Sequence, residues 1–465
     1  MNTASATGTW RELLGPKNLG AVAVLAGGVA IYATNEFITI SLLPSAVADI
    51  GGERLYAWVT TVYLVASVMA ATTVGPVLTR FGPRTAYLGA LLSFAAGSAL
   101  CTLAPSMQLL LVGRVVQGLA GGVLAGLGYA VISAALPDRL WTRASAVVSA
   151  MWGIGTLVGP ATGGLFAQFG FWRGGFGMLA VLAVAMSLLV PLALPARADP
   201  DQNSVRTRIP LRSLLLLGTA AMAVSVAVIP HSAAAVAGLL AVGVTLVLVF
   251  IVVDRRVSAA VLPRKAFEPG PLKWIYMTLG LLMAATMADM YVPLFGQRLG
   301  ALAPVVAGFL GAALSVGWTV GEIASASITN VRATVRVVAI APLVMAVGLG
   351  LSALTQTDSA STRVVAGWAL ALVITGAGIG MAWPHLSAWA MGAVVDDPAQ
   401  QAVAAAAINT VQLMCGAFGA GLAGVVVNLR ATPDATASAL MFGVFAALAA
   451  VGGVASYRSG RGQER

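Results

Sequence analysis

LLLVGRVVQGLAGGVLAG, residues 109–126, sets one guanidinium, that of Arg114, inside an apolar run extending from Met107 to Ala135. The neighbouring sequence offers it no acidic partner. An arginine at the centre of a bilayer costs from about 2.5 kcal/mol on insertion scales to about 10 kcal/mol or more on an isolated helix. Either cost requires the side chain to face protein or water, and makes it a candidate for a transport pathway.

The rest of the chain has the same character. Of its 465 residues 59% are hydrophobic and only 9% charged, and the mean hydropathy of +0.92 excludes a soluble globular protein. Fourteen apolar runs approach the roughly 20 residues needed to cross a hydrocarbon core, from Leu19–Leu43 to Ala435–Tyr457. With the N-terminus inside, 20 of the 26 Lys and Arg residues fall in cytoplasmic segments and five outside. That asymmetry predicts 14 transmembrane helices with both termini cytoplasmic. The net charge of +10 is then a topology signal and not a nucleic-acid footprint. The first run is too long for a signal peptide and ends without a small-residue cleavage site, so it is expected to be a retained helix.

Enzyme chemistry finds little support. Cys101 and Cys415 sit in apolar stretches as packed residues, His231 and His385 are isolated, and no phosphate-cradling loop occurs. No cofactor is expected, and the chain is not an ATP-driven pump by itself.

Two basic stretches, Pro195 to Pro210 and Asp254 to Lys273, bracket an apolar pair, Leu211–Ile229 and Ala233–Val253. Six helices remain on either side. The predicted organisation is an N-terminal six-helix bundle (1–195), a linker carrying two extra helices (196–273) and a C-terminal six-helix bundle (274–465). The pair is mostly Ala, Leu and Val, as a lipid-facing insertion would be, whereas both bundles carry Gly, Pro and isolated charges at membrane depth. Transporters built from repeated bundles share this layout, with the substrate site near the midplane between the halves.

Three motifs add detail. Between the second and third runs stands GPVLTRFGPRTAYL (75–88), with Gly75, Arg80, Gly82 and Arg84; helix 4 carries RVVQG, with Arg114, Gln117 and Gly118; helix 5 carries GIGTLVGPATGGL (153–165). In the last, Gly155, Gly159, Gly163 and Gly164 let helix backbones approach, and Pro160 frees a carbonyl and can bend the helix. These segments resemble the loop 2–3, R-x-x-q-G and G-x-x-x-G-P-x-x-G-G patterns of the major facilitator superfamily, in its 14-helix drug:proton antiporter branch. Thr79 stands where the loop pattern usually has Asp, which sets aside that loop's usual charge network. The resemblance implies a major facilitator fold, an all-α integral membrane protein of two six-helix bundles plus two central helices. It also implies that Arg114 takes part in proton exchange and that helix 5 belongs to an exporter.

Three carboxyls fall within the runs: Glu36 in TNEFITISLLP, Asp289 in TMADMYVPLF and Glu322 in GWTVGEIASAS. Carboxyls withdrawn from water favour their protonated form, and a neighbouring guanidinium opposes this. These are the proton-binding candidates, in that order. Glu322, nearer the cytoplasmic end of its helix, has the alternative of pairing with Arg332 or Arg336.

Candidate substrate contacts are Tyr32, Asn35, Tyr63, Gln117, Trp152, Trp383, His385, Asn409 and Gln412, aromatic and polar points in an otherwise apolar interior. Trp172 and Trp274, near run ends, read as interfacial anchors. The expected function is proton-coupled export of lipophilic or amphipathic small molecules by alternating access, in a bacterial cytoplasmic (inner) membrane, by a monomer with protons as the coupling ion. A periplasmic partner stays open. Rivals are a lipid or glycolipid exporter of the same superfamily, an uptake symporter, and a non-transporting receptor or scaffold.

Overall fold

A chain whose backbone cannot bond to water in hydrocarbon must bond to itself, which leaves helices as the solution for long apolar runs. The computed structural model describes residues 9–195, 209–230, 232–328, 330–394, 398–429 and 433–461, and among them there is no strand. The apolar helices are α1 (Leu19–Ile50), α2 (Tyr56–Ala71), α3 (Val74–Thr102), α4 (Met107–Ala130), α5 (Trp141–Gln168), α6 (Trp172–Ala193), α7 (Leu211–Val226), α8 (Ala233–Asp254), α9 (Leu272–Gly300, interrupted), α10 (Pro304–Ala326), α11 (Val331–Leu354), α12 (Thr362–Gly392), α13 (Pro398–Asn428) and α14 (Asp434–Arg461). Thirteen, with α2 counted from the 3-10 turn that begins at Glu53, are long and apolar enough to cross a membrane; the other, α7, has 16 residues and no such extension at its start. His231 and residues 196–208 of the expected linker lie outside the described residues.

The described residues form two compact units, residues up to Gly51 with Ala66–Ile209, and Gly52–Val65 with Pro210 onward. In the first, α1 packs on α4, α5 and α6, and α3 packs on α4 and α6. Side chains at Gly155, Gly159 and Gly163 would run into Ala33, Phe37 and Ile38, so the α5 glycines are what brings that helix onto α1. Pro160 stands inside α5 without ending it.

The segment after α2 differs from the sequence expectation of a second run reaching Leu78, a third starting at Ala86 and a tight reversal between them. The chain turns at Thr72 and Thr73 and is helical again from Val74. The break falls at Gly82, whose φ of 75° and ψ of 167° are open to glycine and costly for any other residue. Pro83 then restarts the helix in a position that needs no backbone donor. Arg84 Nε donates to the Leu194 carbonyl at 3.0 Å, tying the restart to the end of α6. Arg80 is exposed, its guanidinium 5.5 Å from the Phe81 ring centre, and Gly75 accepts from the Thr79 hydroxyl.

In the second unit α9 packs on α13 and α14, and α11 on α12 and α14. Gly317 and Gly376 let α10 and α12 cross closely, each against the other helix's backbone at Val373 and Leu314. Helices α7 and α8 pack on each other, and α7 also on α13. The expected span to Ile229 ends earlier, at Val226. Carbonyls at this end are taken by side chains: Trp58 Nε1 donates to Ser225 O at 2.8 Å and Arg54 Nη1 to Ile229 O at 3.4 Å.

Candidate functional site

The first unit gathers six of the residues singled out from sequence. Arg114 projects from α4 and is 1% exposed. Its Nη1 donates to Gln117 Oε1 at 2.8 Å and to Asn35 Oδ1 on α1 at 3.1 Å. Gln117, one turn on, passes the chain of bonds to α3, where its Nε2 donates to Ser98 Oγ at 2.8 Å. Cys101 Sγ stands 3.7 Å from Gln117 Oε1. Glu36, half-buried beside Asn35, feels the charge of Arg114. On the same helix Tyr32 meets Trp152 of α5 edge to face, ring centres 5.6 Å apart.

Local packing explains why these groups meet. Close approach of α3 and α4 at Gly97 and Gly113 brings Ser98 within reach of Gln117. The carbonyl of Gly118 accepts from Ser67 Oγ at 3.1 Å, holding α4 on the inner part of α2. The Asn35 Nδ2 atom is buried without a hydrogen-bond partner, so one donor beside the guanidinium stays available for an incoming acceptor. Chemically the cluster is a buried cation fixed by neutral amides with one carboxyl on the adjacent helix. Such an arrangement can hold a proton on the carboxyl or release it against the cation.

Sequence reasoning missed Ser98 and treated Cys101 as packing alone. The two are three residues apart on α3 and so share a face, which is a weak signal in a helix rich in small residues.

The second unit distributes its candidates differently. Asp289 lies in a 3-10 turn, Met287–Tyr291, that interrupts α9 and packs on α10, α13 and α14. Tyr291 in that turn stacks on Tyr56, ring centres 4.7 Å apart, and Tyr56 donates to the Met290 carbonyl at 3.3 Å. A 3-10 stretch inside a helix is a common mark of a functional hinge. Tyr63 is fully buried, Gln412 is half-buried and Asn409 is exposed. Trp383 meets Trp318 with ring centres 5.3 Å apart. His385, half-buried, has Nε2 3.1 Å from the Ser325 carbonyl. Glu322 stands beside the Trp318 side chain, one turn earlier on α10. The alternative pairing of Glu322 with Arg332 or Arg336 is not formed. No group of three or more His, Cys, Asp or Glu suited to a metal occurs among the described residues.

Comparison with known proteins agrees with this architecture. The profile described as Major Facilitator Superfamily matches residues 25–420. A protein of Mycobacterium tuberculosis, named as a probable multidrug-efflux transporter, is 59% identical over 461 residues, covering 98% of each chain. The multidrug transporter protein MdtP of Bacillus subtilis is 23% identical over 403 residues, 83% of this chain and 71% of its own. Among solved structures, a bacterial homologue of the human lysosomal transporter Spinster superposes with a TM-score of 0.68 at 12% identity, covering 98% of both chains. That last likeness speaks for the fold alone.

Proposed function

The chain belongs to the Major Facilitator Superfamily, whose members are membrane transporters and not enzymes, and from that premise we propose that it is a proton-coupled exporter of lipophilic or amphipathic small molecules, of the multidrug-efflux type. The observation that carries the reading is the buried Arg114, bonded to Asn35 and Gln117 and acting electrostatically on Glu36. The names of the mycobacterial and Bacillus relatives support the multidrug class.

In this reading the protein spans a bacterial cytoplasmic membrane 14 times, with both termini inside, and works as a monomer by alternating access. A proton from the outer side occupies Glu36 or Asp289. Arg114, held in place by Asn35 and Gln117, favours release of a proton from Glu36 once the pathway opens inward. Substrate then competes for the vacated polar points, with Tyr32 and Trp152 offering aromatic surface and the Asn35 amide a donor. Protonation removes a charge whose desolvation opposes the conformational change. Asp289 in its 3-10 turn couples protonation to a segment able to change helical geometry.

Purified protein in proteoliposomes with an imposed pH gradient tests this, using a panel of lipophilic cations and labelled lipids. Gradient-driven cation flux that is lost in Glu36→Gln or Asp289→Asn is expected. Lipid movement without cation flux moves the assignment to a lipid exporter, and flux indifferent to both substitutions removes proton coupling through these carboxyls.

A further inference from the structure

The loop after α8, the start of α9 and the end of α14 form a basic patch within the second unit. Arg255, Arg264, Lys265, Lys273 and Arg458 are all exposed, and none makes an ion pair among the described residues. Two of them converge on one ring: Arg458 Cζ is 4.5 Å and Lys273 Nζ 5.6 Å from the centre of Trp274. Arg255 lies 6.0 Å from the centre of Phe267, at the end of the turn that carries Arg264 and Lys265. That turn packs against the first part of α9. Glu268 is the one described acid in the segment that is exposed.

The patch is built rather than merely charged. Asp254, 1% exposed at the end of α8, accepts from Ser213 Oγ of α7 at 2.7 Å and from the amides of Val261 and Leu262 at 2.8 and 3.0 Å. One buried carboxylate thus locks the loop bearing the cations onto the α7–α8 pair. Lys265 Nζ is further tied to the Ala393 carbonyl at 3.0 Å. A topology signal requires only that positive residues stay on one side of the membrane; it requires neither a fixed loop nor two cations on an interfacial tryptophan.

We propose that this patch is a binding site for the phosphate of an anionic phospholipid in the cytoplasmic leaflet, with Trp274 at headgroup depth and Lys273, Arg458 and Arg255 supplying the charge. Tryptophan prefers the bilayer interface, and basic pockets on the cytoplasmic side attract anionic headgroups. The extra helix pair acquires a structural task by the same geometry, since Asp254 and Ser213 belong to it. The site is independent of the proton pathway and stands or falls apart from it.

The test is lipid retention by the full-length protein, drawn from nanodiscs of equal phosphatidylglycerol and phosphatidylcholine and read by native mass spectrometry. The wild type is expected to retain phosphatidylglycerol preferentially. The double variant Lys273→Gln/Arg458→Gln is expected to reduce that preference about tenfold. Arg11→Gln/Lys17→Gln removes the same charge from exposed positions in the first unit and is expected to leave it unchanged. Equal loss in both doubles reduces the effect to net charge and overturns the site, as does full retention in the first double. Displacement of the lipid by millimolar glycerol phosphate overturns the lipid assignment in favour of a free phosphate ligand. Both doubles are compared after gel filtration and a thermal midpoint, and Asp254→Asn, which loosens the loop without removing a cation, is expected to lower the preference as well.

Discussion

The two units repeat one scheme of helix pairing and fill it with different chemistry. In the first, α1 packs on α5 and α6, and α3 on α4 and α6; in the second, α9 packs on α13 and α14, and α11 on α12 and α14. By position α12 is the counterpart of α4. Yet α4 buries Arg114 within a chain of amide and hydroxyl bonds, while α12 presents Gly376 and Gly380 to the backbone of α10 at Leu314 and Trp318. The counterpart of Asn35 and Glu36 is an interrupted helix, with Asp289 in the break and tyrosines stacked beside it. The carboxyl of the first unit stands beside a fixed charge, and that of the second stands in an interrupted helix beside stacked tyrosines. One pairing scheme therefore does not dictate one role.

The contrast is broken most forcefully at Arg114. Arg114→Gln strands Asn35, Gln117 and Glu36, and removing one partner from a buried charged network costs about 3–5 kcal/mol. Gradient-driven export per folded molecule is expected to fall at least about 100-fold; near-normal export in this variant ends the claim that the first unit holds the working charge.

Next in size are the crossings that the units share. Gly155→Val on α5 and Gly419→Val on α13 each drive a side chain into the backbone of the partner helix, at Ala33 of α1 and Ala284 of α9, and overpacking of this kind costs about 1–3 kcal/mol. Similar losses in thermal midpoint and folded yield are expected for both. A large loss in one alone shows that the pairing schemes are not energetically equivalent.

Smaller again is the support of the guanidinium. Gln117→Leu and Ser98→Ala leave buried polar groups unsatisfied, at about 1–3 kcal/mol each. Export is expected to drop about tenfold with the fold retained, and a double variant no worse than Gln117→Leu is expected because the two residues act in one chain of bonds.

The smallest effect lies outside both interiors, at the exposed pair of Glu12 and Arg139. The hydrogen bond from Arg139 holds the Glu12 carboxyl below its ordinary value of 4.5. Its contribution is therefore fully present above pH 4.5 and fades as pH falls through the lowered folded value. Thermal midpoints of the wild type and Glu12→Gln are expected to differ slightly at neutral pH and to converge under acid; a difference that grows with acid contradicts the sign.

Sequence was most informative where physical cost is local. A guanidinium in an apolar run is expensive wherever the chain goes, so Arg114 was visible, and Gln117 and Asn35 came with the motif and the neighbouring carboxyl. Gly82 was visible because a conformation reserved for glycine is a property of one residue. Features decided by partners far along the chain were not. Ser98 matters only because α4 delivers Gln117 to it. TMADMYVPLF reads as continuous helix up to Pro293, and its 3-10 turn accompanies the stacking of Tyr291 on Tyr56, more than 200 residues away in sequence. His385 has nothing in its own segment to announce the Ser325 carbonyl.

The short helix α7 carries a consequence for the surrounding lipid. Sixteen residues rise about 24 Å, some 6 Å less than a typical hydrocarbon thickness of about 30 Å. A deficit of that size is ordinarily met by compressing the bilayer, at a cost of fractions of a kcal/mol per Å. Here the indole of Trp58 and the guanidinium of Arg54 occupy the carbonyls of Ser225 and Ile229, so the chain can leave the helix early with those carbonyls still bonded. With α7 crossing the bilayer as proposed, the hairpin relieves its mismatch from within the protein, and its stability is expected to vary little between thin and thick membranes.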